Sequence, residues 1–152
     1  MGLRDDINAA LKAAMLAREA DRVSALRLIN AKLKDADIAA RPKGVTAIAD
    51  DEIVALLRGM VKARREAAEL YRQGGRAELA AKEEAEIAVI EGFLPQAMDD
   101  AALEAAVAAA VASTGAAGVK DMGRVMGALK AAHGAAIDMA RVGPLVRARL
   151  GG

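Results

Sequence analysis

The chain has 152 residues, 22 basic and 21 acidic side chains and a net charge of +1; 55% of it is apolar, yet only 1% is aromatic. Forty alanines and three prolines favour helix almost throughout, and the scarcity of β-branched and aromatic residues argues against sandwiches and barrels. The absence of cysteine excludes a disulfide scaffold, a thiolate zinc site and a cysteine nucleophile, the single histidine excludes a multi-histidine metal site, and near-neutrality excludes the global basic field of a strong nucleic-acid binder.

Taken in chain order, the first helix is expected from about Leu3 to Ala17, where Leu3, Ile7, Leu11 and Met15 recur every four residues as one apolar stripe. A second helix is expected to start with Asp21 as N-cap, to bury Val23, Leu26, Ile29, Leu33 and Ala36, and to break at Arg41-Pro42-Lys43-Gly44, where proline and glycine disfavour its continuation. Asp50-Asp51-Glu52 suit the positive end of a third helix, whose buried stripe reads Ile53, Leu57, Met60, Arg64, Ala67 and Tyr71. One cation thus falls on an apolar face. Since an unpaired buried charge is costly, Arg64 calls for a carboxylate, with Glu83 or Glu86 of the next helix as candidates. Gly74-Gly75 ends the third helix, and a fourth carries Leu79, Glu83, Ile87 and Ile90 up to Phe93-Leu94-Pro95.

Leu94-Pro95-Gln96 marks the expected boundary. The chain therefore reads as an all-α protein: an N-terminal four-helix bundle over 1–95, then a small C-terminal three-helix subdomain over 96–152. In the second part Asp99-Asp100 caps a helix burying Leu103, Val107 and Val111. Asp121 opens a helix through Met122, Val125, Met126 and Leu129 that closes at His133-Gly134, and Asp138 caps a last one with Val142, Val146 and Leu150 inward. Pro144 requires that last helix to start there or to kink. The longest uncharged stretch, Ala105 to Val119, is too short to span a bilayer. The N-terminus places acids where a signal peptide needs an apolar run, so a cytoplasmic protein is expected.

Residues able to do chemistry are scarce. Ser24, Ser113, Thr46 and Thr114 are the only hydroxyl candidates besides Tyr71, and neither serine lies in a Gly-x-Ser-x-Gly elbow. Gly118 to Gly123 has the spacing of a phosphate loop, but Arg124 and Val125 stand where Lys and Ser/Thr are needed. Glu83, Glu84, Glu86 and Glu91 read as a solvated helix face, and His133 as a residue favoured by a helix C-terminus. No catalytic, cofactor-binding or metal-ligating residue is assigned. The basic residues offer more. Arg58, Lys62 and Arg65 share a helix face, with Arg72 further along; Arg18, Arg22 and Arg27 cluster at the first helix junction, followed by Lys32 and Lys34. Guanidinium and ammonium groups so placed can position a phosphate backbone; the competing reading pairs them with Glu66, Glu69, Asp21 and Asp35 as surface ion pairs of small worth. Gly123 and Gly127, one turn apart, suit close approach of another helix or a ligand backbone.

Several ordered strings carry a family resemblance: LRLINAKLKDADIAAR from Leu26 to Arg41, MVKARREAAELYRQGGR from Met60 to Arg76, EEAEIAVIEGFLPQAM from Glu83 to Met98, and DMGRVMGALK from Asp121 to Lys130, followed by GAAID from Gly134 to Asp138. Together they resemble the GatB/YqeY family, in the form of the free-standing YqeY proteins, over nearly the whole chain. The resemblance implies a helical protein of two subdomains, similar to the tail of the B subunit of the tRNA-dependent amidotransferase. In that enzyme the tail helps hold tRNA, while ammonia generation and the kinase chemistry lie elsewhere. The label carbon–nitrogen ligase with glutamine as amido-N-donor travels with the family. The implied partners are tRNA or another structured RNA, and an aminoacyl-tRNA synthetase or amidotransferase subunit.

The polar positions that match the family pattern are Arg27, Lys62, Arg64, Arg76, Glu83, Glu84 and Glu86, then Asp121, Gly123, Gly127 and Asp138. With Arg58, Arg65 and the boundary residue Pro95, these make up the candidate nucleic-acid-binding and structural set. Ala67 departs from the pattern, which has a small hydroxyl residue there, and Pro144 is a second irregularity. With so few aromatics, any RNA contact would run through shape and phosphate. The competing reading is a non-enzymatic helical module that docks an apolar face onto a partner protein, with Met122 and Met126 as the exposed patch.

Overall fold

Residues 2–95 and 98–151 are described by a computed structural model, Ala135 by its backbone alone. Among them the chain forms α1 (Leu3–Leu16), α2 (Ala20–Ala40), α3 (Asp50–Gln73), α4 (Ala77–Glu91), α5 (Asp100–Thr114), α6 (Met122–His133) and α7 (Met139–Arg149), with short 3-10 turns before α3, before α6 and before α7 and no strand. The packing divides the chain into two compact units, 1–94 and 95–152. The expected boundary at Pro95 lies beside this division; its neighbour Gln96 lies outside the described residues.

In the first unit the apolar stripes converge on Ile7, Leu26, Ile29, Leu33, Ile53, Leu57, Met60, Ile87 and Ile90. Two details depart from the simple spacing. The α1 stripe ends on buried Ala14, while Met15 is 50% exposed, because a 3.6-residue period drifts off a strict four-residue repeat. On α3 a second row, Val54, Val61 and Ala68, is buried beside the expected one, because α3 packs on α4 as well as on the bundle.

The connections follow from local chemistry. Asp21 is not the cap of α2: Glu19 holds that position, and Asp21 falls within the first turn, where its charge complements the helix dipole. The α1–α2 link closes with the N–H of Glu19 donating to the carbonyl of Ala14 and that of Arg18 to Met15. This reversal needs a left-handed residue, and Arg18 takes it at φ 58. At the end of α3 the same reversal falls on Gly75, at φ 74. There Arg76 N–H donates to Tyr71 at 2.7 Å. Arg4 at the start of α1 donates twice, at 2.9 Å each, to the carboxylate of Asp37 near the end of α2. Asp37 also accepts the Ile48 N–H at 2.9 Å, so one carboxylate ties α1, α2 and the segment leading into α3.

The second unit has its own core of Leu103, Val107, Val125, Leu129, Ile137, Val142 and Val146 with two alanines of α5. Asp99 caps α5 by accepting the Ala102 N–H at 2.7 Å, and Asp138 caps α7 by accepting that of Ala140 at 3.0 Å. Asp121 accepts the N–H groups of Ala117 and Gly118 and a guanidinium N–H of Arg124 at 2.9 Å, which folds the α5–α6 loop onto α6. Helix α7 starts at Met139 and continues through Pro144. Among the described residues no single helix is long and apolar enough to cross a membrane.

Candidate nucleic-acid interface

The basic stretch on α3 is largely neutralised by α4. Arg64 Nε donates to Glu86 Oε2 at 3.1 Å and lies 4.0 Å from a carboxylate oxygen of Glu83. The Arg64 and Glu86 side chains are each 18% exposed, so Arg64 serves as an inter-helix tie on the α3–α4 seam. Arg65 pairs with Glu91. Arg72 pairs with Glu84 and with Glu69. The antiparallel α3–α4 hairpin places these partners opposite one another, so the carboxylates of α4 serve as partners for α3 more than as a free solvated face. Among the surface partners expected from sequence, only Glu69 takes part in an ion pair among the described residues.

Between the two helices lies an open groove of about 480 Å³, with Ala68 and Ile87 among its lining and Arg65, Arg72, Glu84 and Glu91 along its sides. Its charges are already matched, which leaves it no strong preference for an anion.

The remaining candidates separate by environment. Lys62 is exposed on α3 and Arg27 on α2, and neither has an ion-pair partner among the described residues. Arg76, exposed, sits at the N-cap of α4 and likewise has no carboxylate partner there. Arg58 is half-buried. In the second unit Gly123 and Gly127 are exposed on α6, and a Cβ added at either would meet nothing within 4 Å. The expectation of close helix packing at these glycines is therefore corrected: within the described structure they present bare backbone on an open face. Met122 and Met126 pack against the second core, which corrects the expectation of an exposed methionine patch.

Two carboxylates are electrostatically set. Hydrogen bonds from Arg4 and from the Ile48 N–H hold the Asp37 carboxyl below its usual range against a smaller opposing effect of burial. The Ala117 N–H and Arg124 do the same for Asp121. Asp37 was not singled out in the sequence; the available signal is its place one turn beyond Leu33, where an acid interrupts an apolar line. Among the described residues no group of three or more His, Asp or Glu converges to hold a metal.

The described residues thus form an all-helical chain of two compact units, with the basic side chains carried on helix faces. The chain matches the family model described as Yqey-like protein over residues 4–150, and it belongs to that family. No curated protein matches it closely enough to count as a relative.

Proposed function

We propose that this protein is a non-catalytic accessory module that binds tRNA or another structured RNA through its phosphates, in the setting of aminoacyl-tRNA amidation or synthesis. The observation that carries the reading is the set of exposed cations, Arg27, Lys62 and Arg76, that lack a carboxylate partner among the described residues, while neighbouring Arg64, Arg65 and Arg72 are paired. Unpaired surface cations gain from releasing the counterions of a polyanion; paired ones would first have to give up their carboxylates. Family membership adds support, since the tail of the tRNA-dependent amidotransferase B subunit is the module this family resembles. The bare α6 backbone at Gly123 and Gly127 gives the second unit a face that a ligand backbone can approach. An amidotransferase subunit or an aminoacyl-tRNA synthetase is the protein partner this reading implies, and the cytoplasm its location.

Filter binding to total tRNA at low and moderate salt tests the proposal. Binding should fall steeply with salt, and Lys62→Glu should weaken it by about tenfold, a loss of about 1.4 kcal/mol. No binding at low salt would sink it, and no effect of Lys62→Glu would remove α3 from the interface.

A further inference from the structure

A second run of cations lies on α2 and the residues directly flanking it. Residues 18–43 hold seven cations and four acids, and one of those acids, Asp37, is already bound by Arg4. Steps of three and four residues along α2 give one line, Ser24, Arg27, Ala31, Lys34, Ile38 and Arg41, and every member is exposed. The line contains no carboxylate. Arg27, Lys34 and Arg41 fall at seven-residue intervals on it, about 10 Å apart along a helix axis, and none forms an ion pair among the described residues. Helical geometry persists through Arg41, whose φ and ψ are −54° and −42°. The opposite side of α2, with Leu26, Ile29 and Leu33, is buried in the bundle.

We infer that this α2 line is a docking face for base-paired RNA, tracking phosphates along one flank of a duplex; the inference rests on the RNA reading above and assigns its substrate class. Three cations spread over about 21 Å match a partner whose negative charge repeats along a line, as a nucleic-acid backbone does. Unpaired bases would need aromatic platforms, and residues 18–43 contain none, while Tyr71 and Phe93 are half-buried elsewhere. A duplex needs no such platform, because it is read by shape and backbone. A bilayer surface fits less well: an interfacial helix sinks its apolar face into lipid, and that face of α2 is occupied by the core.

The test uses the full chain, a labelled RNA duplex and one of its single strands, titrated by fluorescence polarisation across a range of salt. The variant R27Q/K34Q/R41Q removes the line, and K12Q/R147Q/R149Q removes equal charge from exposed positions outside it. All six side chains are exposed, so circular dichroism and urea midpoints should match the parent for both variants. The expected result is duplex binding several-fold tighter than strand binding, with the log–log salt slope reduced by about 3 in the α2 variant and little changed in the other. If the parent binds RNA but the α2 variant keeps its affinity and slope, the α2 assignment fails and the RNA reading stands. Equal losses in both variants, or tighter binding to the single strand, overturn the α2 assignment as well. If the parent binds neither the duplex nor total tRNA at low salt, the RNA reading itself fails. Binding to phosphatidylserine vesicles without duplex binding would replace RNA by a membrane surface.

Discussion

Arg64 Nε on α3 stands 3.1 Å from Glu86 Oε2 on α4, with both side chains only 18% exposed. This pair explains how an arginine can occupy the apolar stripe of an amphipathic helix. Its methylenes continue the packed surface, and its charge is met across the seam before it becomes an isolated buried ion.

Removing one partner should therefore cost more than removing any exposed pair. Glu86→Ala leaves Arg64 with only the more distant Glu83, and the expected loss is about 2 kcal/mol. Arg65→Ala breaks a pair whose arginine is 66% exposed and should change stability by less than about 1 kcal/mol. Urea denaturation of both variants checks the contrast, and a double-mutant cycle of Arg64 with Glu86 isolates the coupling.

Asp37 should contribute to acid sensitivity. Its carboxyl is held below the unfolded value of 3.8 by Arg4 and the Ile48 N–H. A depressed folded value means that the native state binds protons less readily than the unfolded chain. The stabilisation is thus complete above the unfolded value and is lost as pH falls through the folded one. Asp37→Asn should lower stability at neutral pH and flatten the decline below about pH 4. Urea midpoints measured from pH 7 to pH 2 decide it; parallel curves for the parent and the variant would contradict the assignment.

Two of the left-handed helix ends predict opposite responses. Arg18 adopts φ 58 where Gly75 adopts φ 74 in the same kind of reversal. Arg18→Gly should stabilise by about 1 kcal/mol by relieving left-handed strain, and Gly75→Ala should destabilise by a similar amount. Thermal melts of the two variants give the comparison.

Gly127 offers a test of the open face on α6. A Cβ there meets nothing within 4 Å, so Gly127→Ala should raise stability by about 0.5–1 kcal/mol, as an alanine in a helix interior does. If the same variant weakens tRNA binding, the bare backbone is a contact surface; unchanged binding would remove α6 from the interface.

Much of the architecture was legible because helix is a local choice. Alanine content, apolar periodicity and the breaks at Arg41-Pro42-Lys43-Gly44, Gly74-Gly75 and His133-Gly134 located the helices without reference to partners. The need of Arg64 for a carboxylate on α4 followed from the cost of a lone buried charge, and so it too could be read from spacing. What spacing could not show was which charges were already spent. Arg65 and Arg72 look as available as Lys62 along the α3 sequence, and only the antiparallel alignment of α3 with α4 brings Glu91 and Glu84 against them. Asp37 likewise gained its role from Arg4 and Ile48, 33 and 11 residues away. The sequence by itself determined an all-helical chain with apolar stripes and a scatter of cations, because those features depend on residues a few positions apart. The tertiary structure alone decided which cations remain unpaired on the surface, because ion pairing acts over a few ångströms between helices that the chain brings together only on folding.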